Sequence, residues 1–215
     1  MIYYLTALND ISNEQLKILT RYCDVDRKKK VSCYKNDTDR KQSILAYILL
    51  RVQLLCEYGI NNHIFFKFIQ FKPYLLNYPN IYFNLSHCCQ AIACGTSSLD
   101  LGVDVQEIVN FNSQIAKYFL TDAEYMRIIN SDSMDQEFTK LWTLKESYGK
   151  YKRVGICYEM QKKEIERIIQ SEKLRLQSFC LQNFVLSYCA QEILNVNKIT
   201  IDELVYYCNY LVPCN

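Results

Sequence analysis

Several short stretches of this chain carry side chains that could do chemistry together. In Leu101-Gly102-Val103-Asp104-Val105-Gln106, polar and apolar residues alternate. On a strand, Asp104 and Gln106 share one face while Val103 and Val105 share the other. A carboxylate in so apolar a strand is costly to bury unless it is paired or holds a metal. The plainer role is a strand-end aspartate bonded to a turn. Trp142, Glu146 and Lys150 recur at every fourth position, so on a helix they follow one flank. They make either an exposed Glu146–Lys150 ion pair, worth about 0.3–0.5 kcal/mol, or a carboxylate and a cation aimed into one cleft. Asn84-Leu85-Ser86-His87-Cys88-Cys89 ends one strand and begins another. It offers His87 as a structural imidazole or as a donor to phosphate. Residues 21–41 hold eight basic side chains against four aspartates. Such a run is either a solvated face or a seat for a multiply phosphorylated ligand. Carboxylates with a lysine suit a magnesium ion bridging phosphates, because Mg²⁺ takes one or two carboxylates and completes its shell with water and phosphate oxygens. No protein nucleophile stands out beside them.

Taken in order, Asn84-Leu85-Ser86-His87, Gly102-Val103-Asp104-Val105 and Trp142-Thr143-Leu144-Lys145-Glu146-Ser147 with Lys150 resemble the signature of the 4′-phosphopantetheinyl transferases. More narrowly, the chain looks like the Sfp type, in which two similar halves lie on one chain. The family patterns read N-I/L-S-H-S, G-I/V-D-I/V-E and W-x-x-K-E-S/A-x-x-K. The likeness runs from about Asp24 to Ile156 and includes Lys72-Pro73, where the family has a Lys-Pro that lines the nucleotide. The remaining residues match only in general character.

The resemblance implies an α+β fold of two pseudo-symmetric halves, 1–98 and 99–215, with the active site between them. It implies an enzyme that moves the phosphopantetheine arm of coenzyme A to a serine of an acyl or peptidyl carrier protein and releases adenosine 3′,5′-bisphosphate. Asp104 and Glu146 match the magnesium ligands, with Gln106 at a third ligand position. Glu146 also matches the proposed general base, and Lys150 a lysine on the pyrophosphate; Asp104, Glu146 and Lys150 form the expected catalytic set. Ser86 and His87 match residues near the phosphates of coenzyme A. Arg27 and Lys30 align with the cations on its 3′-phosphate, and Lys72 and Pro73 with the stretch beside adenine. Lys145 belongs to the same motif, and Trp142 is expected to pack beneath its helix.

Three departures from the family pattern stand out. Gln106 replaces a commoner acidic ligand, and Glu107 beside it points to the opposite strand face. Gln42 stands where a basic residue is frequent; Lys41 or Arg40 is a candidate substitute. After Lys150 the chain reads Tyr151-Lys152-Arg153-Val154-Gly155, with a single glycine. A basic and apolar rim of Lys117, Lys150, Lys152 and Arg153 near Tyr118 and Phe119 would suit an acidic carrier protein; Tyr118 and Phe119 are equally candidates for the core. The alternative function is a coenzyme A or carrier-protein binding module, catalytically impaired by Gln106.

These residues need elements to position them. The pattern predicts a strand over Ile2–Leu8 and a helix over Ser12–Cys23 with Ser12 as N-cap. A long helix follows over Asp37–Tyr58, capped by Asp37 or Asp39 and stopped by Gly59. Strands are predicted over His63–Phe71, Ile81–Ser86, Gln90–Thr96 and Asp100–Gln106. Thr121 and Glu124 have capping-box spacing for a helix from Asp122. Asp135 is a candidate cap for a helix over Gln136–Tyr151. A charged helix over Gln161–Gln170 and strands over Leu174–Cys180 and Phe184–Ala190 complete the reading.

Composition narrows the class. The chain has 215 residues, half of them hydrophobic and 22% charged, so it is long and apolar enough to bury a core. Five glycines and three prolines leave little for flexible linkers or a glycine-rich phosphate loop. A net charge of +2 argues against generic nucleic-acid coating. No apolar run is long enough to span a membrane, and MIYYLTALND lacks the basic region and apolar core of a signal peptide. Eleven cysteines without a CxxC pair suit reduced thiols in a cytoplasm. A monomer is expected, because two halves on one chain can already enclose a site.

Overall fold

The longest helix is apolar on nearly every side. Residues Gln42–Leu54 of α3 (Asp37–Tyr58) are buried without a break. Such a helix belongs inside a domain, where each fully buried Leu or Ile contributes about 1.5–3 kcal/mol. The computed structural model, which describes residues 1–69, 72–154 and 163–214, places it against a mixed sheet. The strands β1 (Ile2–Thr6), β4 (Tyr82–His87), β5 (Ala91–Ser97) and β9 (Val196–Lys198) lie in the order β4-β5-β1-β9. β5 runs antiparallel to both β4 and β1, and β9 runs parallel to β1. α1 (Asn13–Thr20), α2 (Val25–Ser32) and the last helix, α8 (Ile201–Cys208), pack around α3.

A hairpin of β2 (Phe66–Ile69) and β3 (Lys72–Leu75) follows α3. A second sheet, antiparallel throughout, has the order β6-β8-β7 from β6 (Leu101–Glu107), β7 (Arg175–Leu181) and β8 (Phe184–Ala190). α6 (Met134–Lys152) lies across it, with α4 (Ser113–Phe119), α5 (Asp122–Ile129) and α7 (Ile165–Glu172) beside α6. The two sheets meet along β4 and β6 through side chains rather than a ladder. Asn84 Oδ1 accepts from the Val103 amide at 2.8 Å, and Ser86 Oγ from the Val105 amide at 3.2 Å. Ile2, Ala91, Ala93, Leu101, Val103, Val105, Leu186 and Tyr188 close an apolar seam between the sheets.

Local signals account for many boundaries. Ser12 caps α1 in a capping box with Gln15, and Thr121 caps α5 in one with Glu124. Gly59, at φ +66°, ends α3 in the left-handed conformation that glycine adopts without penalty. Others differ from the expectation. Asn36, not Asp37 or Asp39, caps α3 by accepting from the Thr38 amide. α6 starts at Met134, and Asp135 instead accepts from the Phe111 amide at 2.7 Å. The first strand stops at Thr6, because the chain turns at Ala7 (φ +60°) into a 3-10 turn over Leu8–Asp10. The strand expected over His63–Phe71 is confined to Phe66–Ile69; residues 70 and 71 lie outside the described residues. The charged helix begins at Ile165 rather than Gln161; residues 161 and 162 are likewise outside. α2, α4, β3, β9 and α8 are additions.

The last of these returns the chain to its start. β9 pairs with β1, and buried Arg51 of α3 donates to the carbonyls of Tyr22 (2.7 Å), Asn61 (2.9 Å) and Val212 (3.0 Å). The end of the chain therefore packs with the first sheet and not with the second. The ten described cysteines are free thiols. No helix among the described residues is long and apolar enough to cross a membrane.

Candidate active site

Asp104 stands in mid-β6, 7% exposed, on the strand face that α6 covers. The approach is close because residue 102 is glycine: a Cβ there would lie 1.9 Å from the Ser147 carbonyl oxygen and 2.6 Å from the Tyr151 nitrogen. The bare backbone of β6 thus lets α6 lie directly on the strand and brings the Glu146–Lys150 turn beside Asp104. Lys150 Nζ donates to Asp104 Oδ1 at 2.7 Å, to Ser86 Oγ at 2.9 Å and to the Val103 carbonyl at 3.1 Å. An ammonium has three protons, so all are committed. Ser86 donates its proton to Asp104 Oδ1 at 2.8 Å and accepts from Lys150 and from the Val105 amide. One oxygen of Asp104 is therefore held from β4 and from α6 at once.

Glu146 differs. Burial raises its carboxyl pKa above the ordinary value, the negative charge of Asp104 raises it further, and Lys150 opposes both. Gln106 lies two residues beyond Asp104 in β6 and so keeps the same strand face. His87 follows Ser86 at the end of β4. Its rim is open to solvent, yet the protein around it displaces water and Lys150 adds positive charge, so its pKa falls below the ordinary imidazole value.

His87 also lines a cleft of about 290 Å³. Arg27 and Lys30 of α2 line it, with Phe66, Phe68 and Pro73 of the hairpin. Arg27 is held in place: its guanidinium donates to Ser43 Oγ at 3.1 Å and stacks 5.1 Å over the Tyr47 ring. Gln42 lines the same cleft and donates to the Cys88 carbonyl at 2.7 Å, tying α3 to the turn after His87. Arg40 does not take its place, being turned to the Tyr34 carbonyl and Asp37, each at 2.8 Å. A second cleft of similar size, beside Thr121, Lys163, Arg167 and Glu172, shares none of these residues.

Arg27, Lys30, Pro73 and His87 thus line one cleft. Ser86, Asp104 and Lys150 form a bonded cluster, linked to His87 by the chain at Ser86 and by charge, and Glu146 feels the charges of Asp104 and Lys150. Lys72 is in neither group. Adjacent strand residues face opposite ways, so Pro73 meets the cleft while the buried Lys72 ammonium pairs with Asp100 and donates to the Leu101 carbonyl at 2.8 Å. Lys145 turns the other way from Glu146. It is 1% exposed and binds Glu124 at 2.7 Å and the Phe119 carbonyl at 3.0 Å. Glu124 also accepts from the amides of Thr121 and Ile165, so the pair joins α5, α6 and α7. Trp142 packs edge-on to Phe119, with ring centroids 4.8 Å apart.

Of the rim aromatics, Phe119 is core and Tyr118 is 73% exposed. Lys117 lies over the Tyr125 ring. Lys152 pairs with Glu172 at 2.8 Å, and Arg153 with Asp100 at 2.5 Å. Sequence reasoning did not single out Asp100, the aromatic wall of Phe66 and Phe68, or the hydroxyls of Thr143 and Ser187. For Ser187 a signal existed, a lone hydroxyl in the apolar strand Phe184–Ala190.

The 4′-phosphopantetheinyl transferase superfamily profile matches residues 100–202. The 4′-phosphopantetheinyl transferase Sfp of Bacillus subtilis (strain 168) is 24% identical over 159 residues, 72% of this chain and 71% of that protein. The 4′-phosphopantetheinyl transferase gsp of Aneurinibacillus migulanus is 28% identical over 145 residues, 66% of this chain and 61% of its own length. The psf-1 transferase of Bacillus pumilus is 24% identical over 151 residues, covering 68% and 65% of the two chains. The matches thus span only 61% and 65% of the last two relatives. With the ordered motifs of β4, β6 and α6 brought side by side, the chain is similar to the 4′-phosphopantetheinyl transferase superfamily over residues 100–202 and to transferases of the Sfp type over about two thirds of its length or more.

Proposed function

We propose that this chain transfers the phosphopantetheine arm of coenzyme A to a serine hydroxyl of an acyl or peptidyl carrier protein, releasing adenosine 3′,5′-bisphosphate, and that it requires magnesium. The observation that carries the proposal is the bonded cluster of Ser86, Asp104 and Lys150, with Glu146 in its field, next to His87 of a cleft that Arg27 and Lys30 also line. A substrate with phosphates at both ends of a nucleotide would meet a cation at each.

Among the described residues, no group of three or more His, Cys, Asp or Glu side chains gathers to hold a metal. What the site offers is two carboxylates and an amide oxygen. Asp104 keeps its second oxygen outside the Lys150 and Ser86 contacts, and Glu146 is raised by the neighbouring negative charge. An all-oxygen set with excess negative charge fits a hard divalent cation. Asp104 and Glu146, with Gln106 as a neutral third donor, would hold it. Held there, it would supply positive charge to offset the negative charge of a pyrophosphate.

The side chains divide the remaining work. Arg27, already fixed by Ser43 and Tyr47, and Lys30 hold the outlying phosphate. His87, whose pKa burial and Lys150 hold below the ordinary imidazole value, donates to an inner phosphate. Lys150 holds Asp104 in place and keeps a positive charge at the reacting end, where it offsets negative charge in the transition state. Glu146 accepts the proton of the incoming serine, directly or through water. Phosphoryl-type transfers depend on such positioning and charge neutralisation more than on covalent help from the protein.

The chain as a whole reads as two halves, with the cleft on the first of them. α3 on β4-β5 and α6 on β6-β8 are each a long helix on antiparallel strands, which supports pseudo-symmetric halves, 1–98 and 99–215, with residues 196–214 returned to the first. The acidic carrier docks on the rim of Lys117, Tyr118, Lys152 and Arg153, and one copy of the chain suffices. Incubation with coenzyme A and an apo carrier protein should release adenosine 3′,5′-bisphosphate only when the carrier is present, read by chromatography. Binding of coenzyme A with no release on any carrier class would instead leave a binding module.

A further inference from the structure

A row of buried hydroxyls beside Asp104 is used by none of these roles. Asp104 in β6 pairs in register with Ser187 in β8, and Ser187 with Ser178 in β7. Directly opposed residues of antiparallel strands share a face, so the three stand side by side across the second sheet. α6 covers this face, and from it Thr143 Oγ1 meets Ser187 Oγ at 2.6 Å; Ser187 Oγ meets Ser178 Oγ at 2.6 Å. Thr143 and Ser187 are both 0% exposed.

The protons can be assigned. Thr143 donates its one hydroxyl proton to the Lys140 carbonyl, at 3.1 Å, so it accepts from Ser187. The Ser187 proton is then spent, and Ser178 donates to Ser187. The chain of bonds runs one way, from β7 through β8 into α6, and ends on a backbone carbonyl of that helix. Apolar contacts tolerate sliding and rotation of a helix on a sheet; a directional chain of short hydrogen bonds does not. Thr143 lies three residues before Glu146, within one helical turn.

We propose that Thr143 and Ser187 are positioning residues for the transfer reaction: their hydrogen bond fixes the rotation of α6 on the second sheet and so holds the Glu146 carboxylate opposite Asp104. The inference deepens the function proposed above and rests on it.

The test compares Thr143→Val, which keeps the shape and loses the hydroxyl, with Thr143→Ser, which keeps the hydroxyl. Steady-state transfer, Mn²⁺ binding by calorimetry and thermal melting are measured on the full chain, with a crystal structure of the valine variant. For Thr143→Val, kcat should fall about tenfold and the Mn²⁺ dissociation constant should rise about tenfold, the scale of lost outer-shell support. The KM for coenzyme A should stay within about twofold, because the Arg27 end of the cleft is untouched. The crystal structure should show Glu146 displaced relative to Asp104, and Thr143→Ser should restore all of these values. If Thr143→Val does not fold, Ser187→Ala is read in the same way. A valine variant that melts lower but keeps kcat per folded molecule, Mn²⁺ affinity and the Glu146 position would overturn the proposal. If the wild-type protein transfers nothing to any carrier, the functional reading fails, while Mn²⁺ affinity and the crystal structure still decide the positioning role.

Discussion

Glu146 is a cost to the fold and an asset to the reaction. Burial and the neighbouring Asp104 hold its pKa above the ordinary carboxylate value, so the folded state binds its proton more tightly than the unfolded state. Stability therefore falls as pH rises from the ordinary carboxylate range to the raised value, and the penalty is complete above it. Without metal, Glu146→Gln should melt at a higher temperature than wild type at pH 7. That advantage should vanish at a pH below the ordinary carboxylate range. A variant that melts lower at pH 7 would contradict the account of its surroundings. Gln106 makes a second test, because it offers an oxygen but no charge. Gln106→Glu should keep or raise turnover and lower the magnesium concentration for half-maximal rate. A tenfold or greater loss would mean that the site is tuned for a neutral group. The strand face of Asp104 and the helix flank shared by Glu146 and Lys150 were legible from strand alternation and helix period, while their roles rest on the family resemblance alone. Lys72 and Lys145 were not legible, since a lysine tip goes wherever its carboxylate lies, and Asp100 and Glu124 are distant in sequence.

At the level of elements, the site depends on how closely α6 lies on β6. Gly102→Ala would drive a Cβ into the backbone of that helix, which cannot yield as a side-chain tip can. The expected loss is about 1–3 kcal/mol or more, the range for overpacked cores, together with most of the turnover, read as a denaturant midpoint and a rate. An unchanged midpoint would show that α6 is free to shift. The other support is the buried Lys145–Glu124 pair. Lys145→Met should cost about 3–5 kcal/mol by leaving a buried carboxylate unpaired, yet leave coenzyme A affinity unchanged in calorimetry. A selective loss of that affinity would return Lys145 to the ligand. Long elements with one strong period, such as α3, β6 and α6, could be read directly. α2 could not, because its run of lysines hides a helix that is held by its Asp24 cap and by packing on α3. Of the β2–β3 hairpin only the first strand was expected, and β9 is only three residues long, too short to carry a period.

For the whole molecule, two sheets that share no ladder are joined by Asn84, Ser86 and Lys150, and the cleft beside His87 is lined from residues 27–87 on one side of that joint. Motifs from β4, β6 and α6, spread over 67 residues from Asn84 to Lys150, become one surface only because of that joint. Its presence could be inferred from their order; the return of the chain end to the first sheet could not, since β9 is specified by its partner β1 and not by its own composition. The central claim is that this joint carries a magnesium-dependent transfer of phosphopantetheine. It is tested most directly by the intact mass of an apo carrier protein after incubation with this chain and coenzyme A, with magnesium or with chelator, alongside Asp104→Ala. The account predicts that the carrier gains the phosphopantetheine mass with magnesium, and gains none with chelator or with Asp104→Ala. Mass gain that survives chelation, or a near-normal rate for Asp104→Ala, would contradict it.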